Sequence, residues 1–167
     1  MIDLSTTLLH GLLICIPFSV FVLITFGRWP RLWLDSLPTD IARLAPPKTD
    51  REKNITKYIL LPSYLLILPG LSVASTIYIV TTSAEEFSFQ GILVHLYGIW
   101  ILVHLWDLIA IDGIAMLLID PNHPPIPGTE GATGWKNYHF HFRAFLRAVL
   151  MSAIFVVPVS VILFFVL

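Results

Sequence analysis

The chain has 167 residues, 56% of them hydrophobic and only 13% charged, with a mean hydropathy of +0.82. A soluble domain is about 25% charged, so this balance excludes an ordinary soluble class and points to a polytopic membrane protein. The formal net charge of −1 leaves no electrostatic footprint for nucleic acid, and Cys15, the only cysteine, excludes an intramolecular disulfide.

Met1-Ile2-Asp3-Leu4 offers no basic region ahead of the first apolar run, and no small-x-small cleavage site follows it. The run is therefore expected to be a retained helix, spanning about 6–26. A membrane span needs about 20 mostly apolar residues, and three further segments qualify, at about 58–80, 91–119 and 144–167. The expected fold is all-α, one membrane domain over 1–167, a bundle of four transmembrane helices. Pro17, Pro62, Pro69 and Pro158 fall inside these spans. Membrane helices tolerate them where neighbours satisfy the freed carbonyls.

Orientation follows from the basic residues. Arg28, Arg31, Arg43, Lys48, Arg51, Lys53 and Lys57 fall between the first and second spans, and Lys136, Arg143 and Arg147 between the third and fourth or just inside the fourth. These are all 10 Lys and Arg of the chain. The short Ser83–Gln90 connection has none and carries Glu85 and Glu86. The positive-inside rule then places both long loops, about 27–57 and 120–143, in the cytoplasm and both termini outside. The Asn54-Ile55-Thr56 sequon sits in a cytoplasmic loop and is read as chance.

In the first loop, Trp29 and Trp33 beside Arg28 and Arg31 fit an interfacial belt. Pro38-Thr39-Asp40 opens a short helix ended by Pro46-Pro47, and Lys48–Lys53 is a charged, solvated lead-in to the second span. In the second loop, Asp120–Gly128 holds four prolines in nine residues and is expected to run extended. The permissive Gly128–Gly134 stretch follows, then the aromatic and basic Trp135–Arg143, read as a second interfacial belt.

The third span carries the chemistry. It holds His95, His104, Asp107 and Asp112, and a centrally placed Asp costs roughly 2.5–3.5 kcal/mol on insertion scales. At about 100° per residue, Tyr97, Trp100, His104, Asp107 and Ile111 share one narrow sector, with Asp112 on its flank and His95 on the opposite side. His104 and Asp107, three apart, are expected to pair. Asp112 lies about one turn inside the cytoplasmic boundary, where Glu130, His139 and His141 of the second loop could reach it. Asp107, Asp112, Glu130 and His141 are the catalytic candidates. Asp112, Glu130 and His141 are the candidate ligands of a divalent metal ion. His10, His95 and His104 are the cofactor candidates, with haem or chlorophyll on the imidazole of His95 or His104 and a His10–His95 pair as the two axial ligands of a haem. The alternative for every one of these residues is structural, a buried hydrogen bond tying helices together. His95, near the outer interface, fits that alternative best. There is no His-Glu-x-x-His, Cys pair, Gly-x-Ser-x-Gly or phosphate-cradling loop.

Trp106-Asp107-Leu108-Ile109-Ala110-Ile111-Asp112, Ile126-Pro127-Gly128-Thr129-Glu130-Gly131 and Tyr138-His139-Phe140-His141-Phe142 together resemble a family of small four-helix bacterial membrane proteins without an assigned activity. Leu37-Pro38-Thr39-Asp40-Ile41 and Pro46-Pro47-Lys48-Thr49 are similar to that family's first cytoplasmic loop. The resemblance covers most of the chain and implies that Asp107, Asp112, Glu130 and His141 belong to one motif set in a bacterial inner membrane. Three functions follow as expectations. The first is a cytoplasmic-side carboxylate–histidine site for a cation, lipid headgroup or small polar substrate. The second is a non-catalytic accessory subunit of a larger respiratory or photosynthetic complex, and the third is transport. The expected partners are the lipid bilayer and other membrane subunits or further copies of the chain.

Overall fold

A computed structural model describes residues 3–82 and 87–167. Glu85 and Glu86, which entered the orientation argument, lie outside the described residues. Among those residues the regular structure is helical, with no strand. Helix α1 is Leu4–Arg28, followed by a 3-10 turn at Pro30–Ser36 and the short α2, Thr39–Leu44. Two long helices follow, α3 at Asp50–Thr82 and α4 at Phe89–Leu118. A second 3-10 turn, Thr133–Lys136, leads into α5, Tyr138–Val166. Helices α1, α3, α4 and α5 are each long and apolar enough to cross a membrane.

α3 starts well before the apolar run because its polar start is braced. Thr49 and Glu52 form a reciprocal capping box, the Glu52 N–H on the Thr49 hydroxyl at 3.2 Å and the Thr49 N–H on the Glu52 carboxylate at 2.7 Å. Arg31 holds the same carboxylate through two bonds, 2.7 and 3.1 Å, and also donates to the carbonyls of Pro46 and Pro47. Lys48–Lys53 is thus the charged, largely exposed lead-in expected, and it is also a fastened helix start. Further along, α3 widens into π turns at Thr56–Leu60 and Leu66–Gly70. Pro62 lies two residues beyond the end of the first and Pro69 sits in the second, and each removes an N–H from the α ladder. Pro17 and Pro158 are accommodated inside α1 and α5 without such a change.

α4 is the central helix, packed chiefly on α1 and α5 and more lightly on α3. Ile14 and Phe18 of α1, Leu68 of α3, Leu96, Ile99 and Val103 of α4 and Val156 of α5 form the main core. Polar groups within it are paired across helices. The Trp100 indole N–H donates to Ser72 Oγ at 3.1 Å, and the Tyr97 hydroxyl donates to the Val149 carbonyl at 2.7 Å. The outer faces are apolar, with Leu12, Ile16, Leu66, Ile109, Leu150 and Ile154 exposed, as a surface that meets acyl chains requires.

The two long loops fold on each other. Leu34, Ile41, Ala45, Ile126, Ala132 and Trp135 form a second, smaller core. Asp40 joins its halves, accepting the Gly134 N–H at 2.7 Å and the Thr133 hydroxyl at 3.3 Å. Two expectations change here. The proline-rich stretch turns instead of running extended, because Ile126 is drawn completely out of solvent and the Gly131 N–H closes onto the Pro121 carbonyl at 2.8 Å. Trp135 is no belt residue. It is 4% exposed, with its indole N–H on the buried Thr129 hydroxyl at 3.2 Å.

Gly134 must be glycine for steric reasons. A Cβ there would lie 2.8 Å from Pro38 Cβ and clash with the Asp40 carboxylate. Gly134→Ala is expected to cost about 1–3 kcal/mol, the usual range for forced overpacking, seen as a lower midpoint of thermal unfolding and faster proteolysis between α4 and α5. The Asp40 bond also sets a pH dependence. Burial raises the carboxyl's pKa, but the N–H groups of Gly134 and Ile41 and the Thr133 hydroxyl outweigh it and hold the group below its ordinary 3.8. A lowered native pKa stabilises above the unfolded value and is lost as pH falls through the native one. Protection of the Gly134 amide against hydrogen exchange, taken relative to its intrinsic rate at each pH, is expected to be high above pH 3.8 and to fall below it, and Asp40→Asn is expected to flatten this dependence.

Candidate functional site

A cavity of about 460 Å³ opens at the end of the bundle that carries the two long loops. All four long helices and the folded loops contribute to its wall, which is mostly apolar: Phe18 and Val22 from α1, Leu60 and Tyr64 from α3, Phe145 from α5. Into it α4 places His104, Asp107 and Asp112, and α5 places His141.

The local winding of α4 makes this grouping. Residues Asp107–Asp112 form a π turn, with the Gly113 N–H on the Leu108 carbonyl, five residues back. In α-helical winding, five steps of about 100° leave two residues some 140° apart. A π turn brings the fifth residue almost over the first. Asp112 therefore moves from the flank, where α periodicity puts it, onto the Asp107 face. Single π turns inside α-helices recur at functional sites for this reason.

His141 Nδ1 lies 2.7 Å from Asp112 Oδ2, with the side chains 15% and 26% exposed. The pair links the first turns of α5 to α4, and Asn137 starts α5 by accepting the Phe140 N–H at 3.0 Å. Among the described residues, Asp107 has neither ion-pair nor hydrogen-bond partner, so its expected pairing with His104 does not form. His104 is 9% exposed and sets its ring edge-to-face on Trp100 at 5.9 Å between centroids, with neither ring nitrogen hydrogen-bonded among the described residues. Trp33, also in the wall, keeps its indole N–H buried without a partner. Trp33, expected in an interfacial belt, instead lines the cavity, and it and Tyr64 escape a local reading because each lies on a different segment from the acidic residues.

Glu130 stands apart. Its carboxylate accepts the Gly128 N–H at 3.0 Å in an exposed turn, in which Gly128 and Gly131 adopt φ of +87° and +74°. That region favours glycine, so the Ile126–Gly131 motif is accounted for as turn geometry. The backbone N–H groups that Glu130 accepts hold its carboxyl below the usual range. Of the metal set expected from sequence, the structure brings together Asp112 and His141 and leaves out Glu130. No three His, Cys, Asp or Glu side chains among the described residues gather closely enough for a metal ion. His139 is exposed, one residue pair away from the face that His141 uses.

At the opposite end, the haem pairing fails on geometry. His95 is fully buried, and both its ring nitrogens are engaged, Nδ1 with Thr7 Oγ1 at 2.8 Å and Nε2 with Ser75 Oγ at 3.2 Å. Ser75 also bonds His10 Nδ1 at 2.7 Å, so a hydroxyl bridges the two rings where a macrocycle would need to stand. His95 thus takes the structural role expected of it. It ties α1, α3 and α4 together.

No family model, curated protein or solved structure matches the chain.

Because Glu130 acts only within its turn, Glu130→Gln, which keeps an acceptor oxygen, is expected to leave both the unfolding midpoint and the occupancy of the cavity unchanged. Unfolding curves and mass analysis of the purified variant check this, and coupled loss of a cavity ligand would return Glu130 to the site.

Proposed function

We propose that this chain is an integral membrane protein whose working part is the cavity between Asp107 and the Asp112–His141 pair, and that the cavity faces the cytoplasm and binds a small molecule through its polar group. The observation that carries this is the 2.7 Å carboxylate–imidazole pair beside a carboxylate without a partner, in an otherwise apolar wall. Charged groups at this depth are retained where a ligand, ion or proton uses them. The basic residues of both loops support the cytoplasmic side. The resemblance to the small four-helix bacterial family supports an inner-membrane location.

The pair gives the site acid–base capacity. Asp112 on Nδ1 fixes the ring and its tautomer and leaves Nε2 to take or give a proton. Asp107 is a second acceptor on the same face. A bound hydroxyl or amine could thus be oriented by one carboxylate and deprotonated through the imidazole.

The test is native mass spectrometry of the protein extracted in polymer-bounded native membrane discs. Wild type is expected to retain a bound small molecule, and Asp112→Asn to lose it by about tenfold or more, a change of about 1.4 kcal/mol, with the unfolding midpoint preserved. Equal retention by a folded Asp112→Asn protein, or no retained molecule in wild type, would overturn the assignment.

A further inference from the structure

The charge balance of the cavity wall narrows the ligand class. The wall contains the carboxylates of Asp107 and Asp112 and no Lys or Arg. A third carboxylate, Asp35, borders it but is already paired with Lys48 at 2.7 Å and is 80% exposed. His141 can offset one inner carboxylate only when protonated. Asp107, where ionised, has no counter-charge among the described residues, and His104, more than nine-tenths buried, presents ring nitrogens that no described residue engages. A buried charge is tolerated when it is paired. A phosphate or carboxylate head would meet like charge here, whereas a cationic head supplies the missing partner. Phe18, Trp33 and Tyr64 line the same cavity, and an aromatic ring attracts a cation at its face. The apolar remainder of a cavity of about 460 Å³ lies in the size range of small-molecule sites and calls for an apolar body.

We propose that the cavity binds an amphiphilic organic cation, an ammonium head on an apolar body, with the head between Asp107 and the Asp112–His141 pair and the body against Phe18, Leu60 and Phe145. The proposal rests on the site assignment above and specifies its ligand. A primary ammonium donates to Asp107 and to a neutral His104 nitrogen. A quaternary head relies on charge and on the aromatic faces alone.

The full chain is reconstituted in phosphatidylcholine nanodiscs, and binding of dodecyltrimethylammonium below its micellar concentration is measured by equilibrium dialysis, with empty discs subtracted. Dodecyl sulfate, with the same chain and the opposite charge, is the control. Saturable uptake of about one ammonium per chain is expected, weakened about tenfold or more by Asp107→Asn and retained by Asp107→Glu, which keeps the charge. Glu130→Gln, outside the cavity, is expected to bind as wild type does. The proposal is overturned by the absence of saturable ammonium uptake, by equal uptake of the sulfate, or by a folded Asp107→Asn protein that binds unchanged. If Asp107→Asn does not fold, the contrast between ammonium and sulfate on wild type and Asp107→Glu decides. Retention of a neutral or anionic molecule through Asp112, without ammonium uptake, removes the ligand class and keeps the site. Absence of both removes both.

Discussion

Hydrocarbon offers no hydrogen-bond partner, so a chain that spans it must satisfy its polar groups from within. Most of the bundle follows from that constraint. His95 spends both nitrogens on Thr7 and Ser75, Trp100 finds Ser72, and Tyr97 finds the Val149 carbonyl. These contacts join α4 to each of its neighbours and make it the axis of the fold. Against that background the exceptions carry information. Among the described residues Asp107, His104, the Trp33 indole and the buried Ser160 hydroxyl have no partner, and the first three line one cavity. Polar groups left open together at one place are difficult to explain as helix glue and easy to explain as a site.

The helical architecture was legible because hydropathy alone decides it. Four long apolar runs can be little else in a chain with so few charges. The third span was also correctly marked as the place where ionisable groups concentrate. What local pattern could not supply was winding. A uniform 100° step set Asp112 on the flank, whereas the π turn of α4 brings it towards the Asp107 face, and the approach of His141 to Asp112, expected from the second loop, is formed. Nothing in Asp107–Asp112 announces a π turn, since the residue types are ordinary helix formers.

The loops were legible only in part, and for a different reason. The helix at Thr39–Leu44 could be read from its flanking prolines, but the bond from Asp40 to the Gly134 N–H joins residues 94 apart in sequence. Composition marked Asp120–Gly134 as irregular and could not show that Ile126 and Trp135 would leave the solvent. Long-range burial also reassigns Glu130. In sequence it stands among candidate ligands, and in space it completes a glycine turn. The motif set therefore divides by task, with Asp107, Asp112 and His141 at the cavity and Gly128–Gly131 shaping the loop above it.

The π turn of α4 uses one residue more than α winding would over the same stretch. Removing that residue would return the stretch to α winding, in which four steps of about 100° leave the two aspartates about 40° apart, so their shared face would survive the loss. An α-helix that kept all six residues would instead set them about 140° apart. The Asp112–His141 contact at this end of the bundle thus depends on a wider turn that absorbs one residue.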